Sequence, residues 1–242
     1  MSLEGKRIVI LGGSSGLGFA TAKAAAAEGA QVVIASSNAK KVANATERID
    51  SRVEGRVVDL LDERGIAAFF DDVGAFDHLV YTAGDALKAV ELKDMTFADA
   101  QAAFGIRYWG ALLATKYGAP KIRAGGSIVL TSGLASQRAR KGWSVISSLC
   151  GATESFARAL AVELAPVRVN VVSPGTVRTE LWDGLPDAAR DALFQKANQL
   201  LPVAHVGEAS ELAETYLYFM RSGFVTGSIA YVDGGAGVMA AY

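Results

Sequence analysis

Residues 8–38 read "IVILGGSSGLGFATAKAAAAEGAQVVIASSN". A β-rich apolar run ends in Gly12, two further glycines follow at 16 and 18, an alanine-rich helical stretch begins at once, and a second apolar run starts at Gln31. Few folds admit that order. Gly12 permits a tight turn after a strand, Gly16 lets backbone approach a ligand closely, and Gly18 lets the helix pack tight on the sheet. The free N–H groups and partial positive charge of the helix N-terminus then suit a pyrophosphate. A glycine turn serving packing alone is the competing reading, and the flanking strand, helix and second strand argue against it.

The rest of the chain extends this pattern. Further apolar runs are "GRVVDL" (55–60), "HLVYTAG" (78–84), "GSIVLTSG" (126–133), "VRVNVVSP" (167–174) and "SIAYVDGG" (228–235), after "RIVILGG" (7–13) and "QVVIAS" (31–36). Most are continuous rather than alternating, as in strands covered on both faces. Helical patterns lie between them at 17–29, 39–49, 98–118, 148–165 and 208–221, the fourth carrying Phe156, Leu160 and Leu164 as one apolar stripe. The expectation is α/β: a doubly wound (Rossmann) seven-stranded parallel sheet with helices on both faces, formed by residues 1–242 as a single dinucleotide-binding domain. Turn signals around "DGLPDAARD" place an inserted helical lid at about 180–203. With 242 residues, 51% of them hydrophobic, the chain can bury one large core.

A net charge of −1 gives no basic surplus for nucleic acid or an anionic membrane. Cys150 is the only cysteine, so no intrachain disulfide forms and a reducing compartment is expected. The N-terminus enters a strand without a signal pattern, and no run of about 18 apolar residues is present. These readings predict a cytoplasmic protein.

The spacing Gly-x-x-x-Gly-x-Gly resembles the short-chain dehydrogenase/reductase family, and the resemblance runs through nearly the whole chain. "VVDL" is similar to the family's adenine-contacting segment, "YTAG" (81–84) stands where Asn-Asn-Ala-Gly is usual, "RVNVVSPGTVRTEL" (168–181) resembles its Pro-Gly motif, and "VTGSIAYVDGG" (225–235) its last strand. Leu11 replaces the usual Thr. The resemblance implies cofactor contacts at Gly12, Ser14, Ser15, Gly16, Leu17 and Gly18, at Asp59 and Leu60, and at Ala83 and Gly84. It also places Pro174, Gly175 and Val177 against a nicotinamide, with Thr179 near the phosphates. The second strand ends in "ASSNAKK", without the Asp or Glu that would hold a ribose 2′-hydroxyl. Ser36, Ser37 and Asn38, with Lys40 and Lys41 beside them, leave room for a 2′-phosphate, which favours NADP(H) over NAD(H). Against this, Ser15 stands where a basic residue is usual, and both lysines read equally as solvated helix residues.

In the family a Tyr moves the substrate proton, a Lys four residues on lowers its pKa, a Ser binds the substrate oxygen and an Asn supports the Lys. A phenol titrating near 10 needs such a cation to act at neutral pH. Ser132 matches the serine. The register of "ATESFARALAVEL" puts the Tyr position on Ile146 and the Lys position on Cys150, while "FGIRYWGALLATK" puts the Asn position on Arg107. There is no Tyr between Tyr117 and Tyr216 and no Lys between Lys141 and Lys196, so no shift of register restores the pair. The literal Tyr117-x-x-x-Lys121 ends a different helix, is broken by Pro120 and follows no serine strand. Cys150 is either a thiolate in an electropositive site or a small buried residue. Arg107 either supplies the missing cation or makes a structural ion pair or subunit contact. The candidate catalytic set is Ser132, Arg107 and Cys150.

The loop "SQRARKGW" (136–143), with Arg138, Arg140, Lys141 and Trp143, suits an anionic or planar ligand or is simply solvated. His78 reads as structural, His205 has no assigned role, and no metal site is expected. The resemblance implies pairing through helices 98–118 and 148–165, hence a homodimer or homotetramer, and the partner is a small-molecule substrate of unknown identity. Three functions compete: an NADP(H)-dependent oxidoreductase on a carbonyl or alcohol, a nucleotide-binding sensor or partner subunit without turnover, and a non-redox lyase or isomerase reusing the cleft.

Overall fold

Ile8 and Ile10 face one side of the first strand and Val9 and Leu11 the other, and all four are fully buried. That is the signature of a central strand, and it recurs in the computed structural model, which describes residues 2–49, 52–86 and 88–239. Strands β1 (Arg7–Leu11), β2 (Gln31–Ser36), β3 (Val53–Val57), β4 (Phe76–Tyr81), β5 (Ile122–Thr131) and β6 (Arg168–Pro174) are followed by the short pair β7 (Val177–Arg178) and β8 (Gly207–Glu208), and by β9 (Ile229–Val232). Seven of them form a parallel sheet in the order β3-β2-β1-β4-β5-β6-β9, as expected; β7 and β8 pair separately. The order reverses between β1 and β4, where Ile10 lies opposite both Ile34 and Val80. In sheets of this kind ligands bind at that switch point, beyond the carboxyl ends of the strands.

One face of the sheet carries Val9, Leu11, Phe76 and Leu79 against Ile66 and Phe70 of α3 (Glu63–Val73) and Ala111 and Ala114 of α5 (Gly110–Gly118). The opposite face carries Ile8, Ile10 and Ile34 against the alanines of α1 (Gly16–Ala27) and Tyr216 and Phe219 of α8 (Ala209–Arg221). The small side chains of α1 explain its close seat on the sheet. Helix α2 (Ala39–Ile49) is amphipathic and buries only Val42 and Ala45. Asp62 caps α3 by accepting from the Arg64 N–H, satisfying one orphan donor of its first turn.

Two differences from the sequence reading bear on the site. Five of the strands stop two or three residues short of their apolar runs, which then bend into loops: β1 ends at Leu11 rather than 13, β4 at Tyr81 rather than 84, and β5 at Thr131 rather than 133. The helix expected over 98–118 is interrupted. It comprises α4 (Phe97–Phe104), a π turn at Gly105–Trp109, and α5. There the Gly110 N–H donates to the Gly105 carbonyl, five residues back, while the Ile106 carbonyl accepts the Tyr81 hydroxyl. A Cβ on Gly110 would lie 2.3 Å from that hydroxyl, so only glycine lets it enter. The displaced turn fits the preference of π bulges for functional positions.

Helix α6 (Ser144–Glu163) starts four residues earlier than expected, which brings Ile146 and Cys150 onto one helical face. Within 180–203 lies α7 (Asp187–Leu200), whose Phe194 and Ala197 pack with Leu134, Leu201 and Ala236. Among the described residues no helix is long and apolar enough to cross a membrane.

Candidate functional site

A cavity of about 620 Å³ opens at the carboxyl ends of β1, β2, β4, β5 and β6. At one end it is walled by Gly12, Ser14, Ser15, Gly16 and Leu17, then by Ser36, Ser37, Asn38 and Lys41. Leu60, Ala83 and Gly84 line its middle, and Pro174, Gly175, Val177 and Thr179 the far side with Ser132, Arg107 and Cys150. Two expected contacts fall elsewhere. Asp59 is exposed and its carboxylate accepts from the Leu61 N–H, while Val58 and Leu60 on either side line the cavity. Gly18 sits behind the wall, where a Cβ would lie 2.3 Å from the Gly12 carbonyl oxygen. Lys40 is not part of the lining.

The glycine turn is built for close approach. Gly12 has φ +88° and a Cβ there would lie 2.5 Å from the Ala83 nitrogen. The Thr82 hydroxyl reaches the Leu11 and Gly12 carbonyls at 3.2 and 3.3 Å, tying the turn to β4. Ser15 caps α1 without using its side chain, and the first turn has no acidic residue. Its N–H groups therefore remain available to an anion. Glu180 reaches this end from the opposite wall, 3.4 Å from where a Cβ on Gly16 would be.

At the other end Arg107 leaves the π turn and lies against Gly84, its guanidinium carbon 2.6 Å from where a Cβ would stand, and donates to the Asp85 carbonyl. Burial lowers its pKa, opposed by Cys150, Asp85 and Tyr81. An arginine so perturbed still keeps its charge at neutral pH. Burial pushes the Cys150 thiol up to about 11 despite Ser132 and Arg107. That shift keeps the thiol protonated at neutral pH, and the side chain packs with Ile146, Ala135 and Trp143, which matches the small-buried-residue alternative. The Ser132 hydroxyl lies 3.1 Å from the Cys150 carbonyl and 3.0 Å from Glu154 Oε1.

The rim loop is only partly free. Arg138 donates to the Gly237 and Met239 carbonyls, Arg140 lies 5.3 Å over the Trp143 ring, and Lys141 pairs with Glu91 at 2.8 Å, outside the cavity. Leu181, Trp182 and Leu193 close the side opposite it, with Trp182 Nε1 donating to the Val177 carbonyl at 2.8 Å. The Tyr117 hydroxyl donates to Glu63 and Lys121 pairs with Asp71, so neither member of the misleading motif lines the cleft. His78 is buried beside the Ser127 hydroxyl at 2.9 Å, and exposed His205 pairs with Glu211. Among the described residues no three His, Cys, Asp or Glu side chains converge as a metal-binding group. Sequence reasoning passed over Glu154, although its i+4 spacing from Cys150 was a usable signal, and Trp182, whose approach depends on the chain's return past β7.

The residues fit a dinucleotide: a Cβ-free turn, a helix N-terminus with unspent donors, and a cavity long enough to join β2 to β6. Comparison with known proteins agrees. Residues 12–237 match the family model described as enoyl-(acyl carrier protein) reductase. The chain is 36% identical to short-chain dehydrogenase/reductase ucsE of an Acremonium species, over 97% of this chain and 96% of that one. A crystal structure of a small-chain dehydrogenase in complex with NADPH superposes with a TM-score of 0.85 at 36% identity, covering 98% of this chain and all of the other. MalC reductase/Diels-Alderase from Malbranchea aurantiaca superposes at 0.90 with 30% identity, covering 98% and 97%. With its glycine turn, its cleft and these relatives in agreement along nearly the full length, the chain belongs to the short-chain dehydrogenase/reductase family.

Proposed function

We propose that this protein is an NADP(H)-dependent oxidoreductase that interconverts a carbonyl and an alcohol through an atypical site, in which Arg107, Ser132, Ile146 and Cys150 stand at the positions of Asn, Ser, Tyr and Lys. The observation that carries the reading is one continuous cavity joining the glycine turn to Arg107 and Ser132. The glycine turn and α1 would hold the pyrophosphate. Ser36, Ser37, Asn38 and Lys41 would take the 2′-phosphate, which no carboxylate at the end of β2 repels. Pro174, Gly175 and Val177 would support the nicotinamide, whose chemistry when bound is to give or accept a hydride. Ser132 hydrogen-bonds the substrate oxygen. Arg107 supplies the fixed positive charge that position 150 lacks, steadying negative charge that develops on that oxygen or holding a substrate carboxylate. Trp143, Ile146 and Leu149 present an apolar wall and keep water from the reacting carbon.

The NADPH-bound relative at 36% identity supports the cofactor choice. Exposed Trp109 beside α5 and Val162 on α6 support assembly into a homodimer or homotetramer through those helices, and a single cysteine, Cys150, supports a reducing compartment such as the cytoplasm. Titration with NADPH and NADH, followed by turnover on a panel of aldehydes and ketones, tests the reading: tighter NADPH binding and NADPH oxidation are expected, and oxidation must fall in Arg107→Ala while Cys150→Ala keeps it. Tighter NADH binding would overturn the cofactor choice, and NADPH binding without oxidation would overturn the redox assignment. A second reading, a non-redox reaction in the same cleft, is favoured by one relative being described as both reductase and Diels-Alderase. It predicts substrate conversion with no net NADPH consumption.

A further inference from the structure

Glu154 lies one turn of α6 beyond Cys150 and is 3% exposed. Three hydroxyls surround its carboxylate: Ser132 at 3.0 Å and Ser136 at 2.6 Å on Oε1, and Tyr231 at 3.2 Å on Oε2. Tyr231 in turn accepts from Gln137 Nε2 at 2.9 Å and is 40% exposed. A buried carboxylate is costly to keep, and an apolar side chain would fill the space at less expense. What it provides here is continuity. Ser132 borders the cavity, Tyr231 reaches the surface, and Glu154 is the titratable group that touches both.

Resting on the function proposed above, we propose that Glu154 is the proton source and sink for Ser132, so that a relay runs from water through Tyr231, Glu154 and Ser132 to the substrate oxygen. Ser132 alone cannot serve as an acid, because a serine that gives up its proton must receive another. In the reducing direction the carbonyl carbon gains a hydride from the reduced dinucleotide and its oxygen takes the Ser132 proton. The Tyr231 hydroxyl passes its proton to the Glu154 carboxylate as it takes one from water, and the O–H bond so formed breaks to restore Ser132. The second acceptor of Ser132, the Cys150 carbonyl, holds its proton between turnovers. In the oxidising direction each transfer reverses. Burial, and then the nearby Glu154, raises the pKa of Tyr231, so it keeps its own proton at neutral pH and acts as a conduit. Glu154 is thus a positioning and proton-supplying residue that acts through Ser132.

The test is Glu154→Gln, which keeps the shape and still accepts Ser132 and Ser136 on its amide oxygen, but offers Tyr231 a donor in place of an acceptor and has no acidic proton. NADPH affinity should stay within about twofold of wild type, and kcat for carbonyl reduction should fall by about 10²–10⁴-fold, the range for a lost acid–base group, with little change in KM. Infrared difference spectra between the oxidised and reduced dinucleotide complexes should show a change in a carboxyl or carboxylate band that Glu154→Gln removes, a readout that needs no turnover. Tyr231→Phe, at the surface end, should lower kcat at least about tenfold and guards against misfolding of the buried variant. NADPH oxidation by Glu154→Gln within threefold of wild type overturns the relay while leaving the proposed function intact. If NADPH binds without turnover, the infrared band decides, and its absence overturns the relay. Failure to bind NADPH removes both.

Discussion

Gly18→Ala should separate the packing of the glycine turn from its contact with ligand. The added Cβ would stand 2.3 Å from the Gly12 carbonyl oxygen and 2.4 Å from Thr82 Oγ1. A carbon beside a carbonyl oxygen rests at roughly 3.3–3.6 Å, so about 1 Å of separation must be found. The backbone of Gly12 cannot supply it, because that residue is itself wedged against Ala83. The start of α1 must lift, although Ala22, Ala25 and Ala26 are fully buried in its seat. Overpacking of this kind costs about 1–3 kcal/mol, against which alanine returns about 0.5–1 kcal/mol of helix preference. At about 2–4 °C per kcal/mol for a chain of this size, the net loss of up to about 2.5 kcal/mol lowers Tm by up to about 10 °C. Binding should suffer more. N–H groups displaced by about 1 Å move from 2.9 Å to beyond hydrogen-bond range, and each charge-assisted bond lost is worth about 1.5–3 kcal/mol. NADPH affinity, read by its fluorescence on titration, should drop at least about tenfold. Gly16→Ala is the contrast: its nearest neighbour is 3.4 Å away, so its strain comes from φ +51° alone, about 1–2 kcal/mol, with no need to move the helix. A Gly18→Ala protein that binds NADPH within threefold of wild type and melts within about a degree of it would refute the account of the turn.

Lys41→Glu should weaken NADPH by about tenfold and leave NADH within about twofold, since only the 2′-phosphate distinguishes them; parallel titrations of the two cofactors read the ratio. Glu180→Gln should tighten NADPH severalfold, because a carboxylate facing Gly16 repels the pyrophosphate, and the gain should shrink as salt rises. Burial holds His78 neutral, with its pKa lowered from 6.5 to about 4. The unfolded chain therefore binds more protons in that interval: the stabilisation is complete above about pH 6.5 and is lost as pH falls through about 4, some 3 kcal/mol in all. Urea unfolding at pH 7.5 and pH 4.5 should show that loss in wild type and a smaller one in His78→Asn.

The legible parts of the molecule were those whose cause is local. Strand, glycine turn and helix follow one another within residues 7–27, so their spacing carried both the fold and one end of the cavity. The strand ends were read too long because apolar character alone does not distinguish a residue pairing in the sheet from one lining a cleft just past it: Ala83 and Gly133 are the second sort. The π turn escaped notice for another reason. Its cause is the hydroxyl of Tyr81, 25 residues away, taking the Ile106 carbonyl out of the helical ladder, and no periodicity in 98–118 records that. Glu154 is similar, since its meaning comes from Tyr231, 77 positions further on. Asp59 shows the converse error, a motif residue whose side chain is spent on its own turn.

On the proposed function, Arg107, Ile146 and Cys150 make sense together rather than singly. In the family pattern the cation rises from the long helix that bears the tyrosine; in this chain the guanidinium approaches position 150 from the π turn instead, close enough to oppose the rise of the Cys150 pKa. On the proposed function, charge near the reacting oxygen is kept, but its carrier has moved from one helix to another and changed from a point charge to a planar fork. A lysine restored at 150 would meet Arg107 in a buried place, and two like charges in near contact repel by a few kcal/mol at an effective dielectric of about 20. Ile146→Tyr with Cys150→Lys should therefore give an unstable protein with little new activity, and the family's proton relay should return only when Arg107→Asn is added. Robust carbonyl reduction by the double variant, with wild-type Tm, would show that Arg107 does not occupy the lost cation's place.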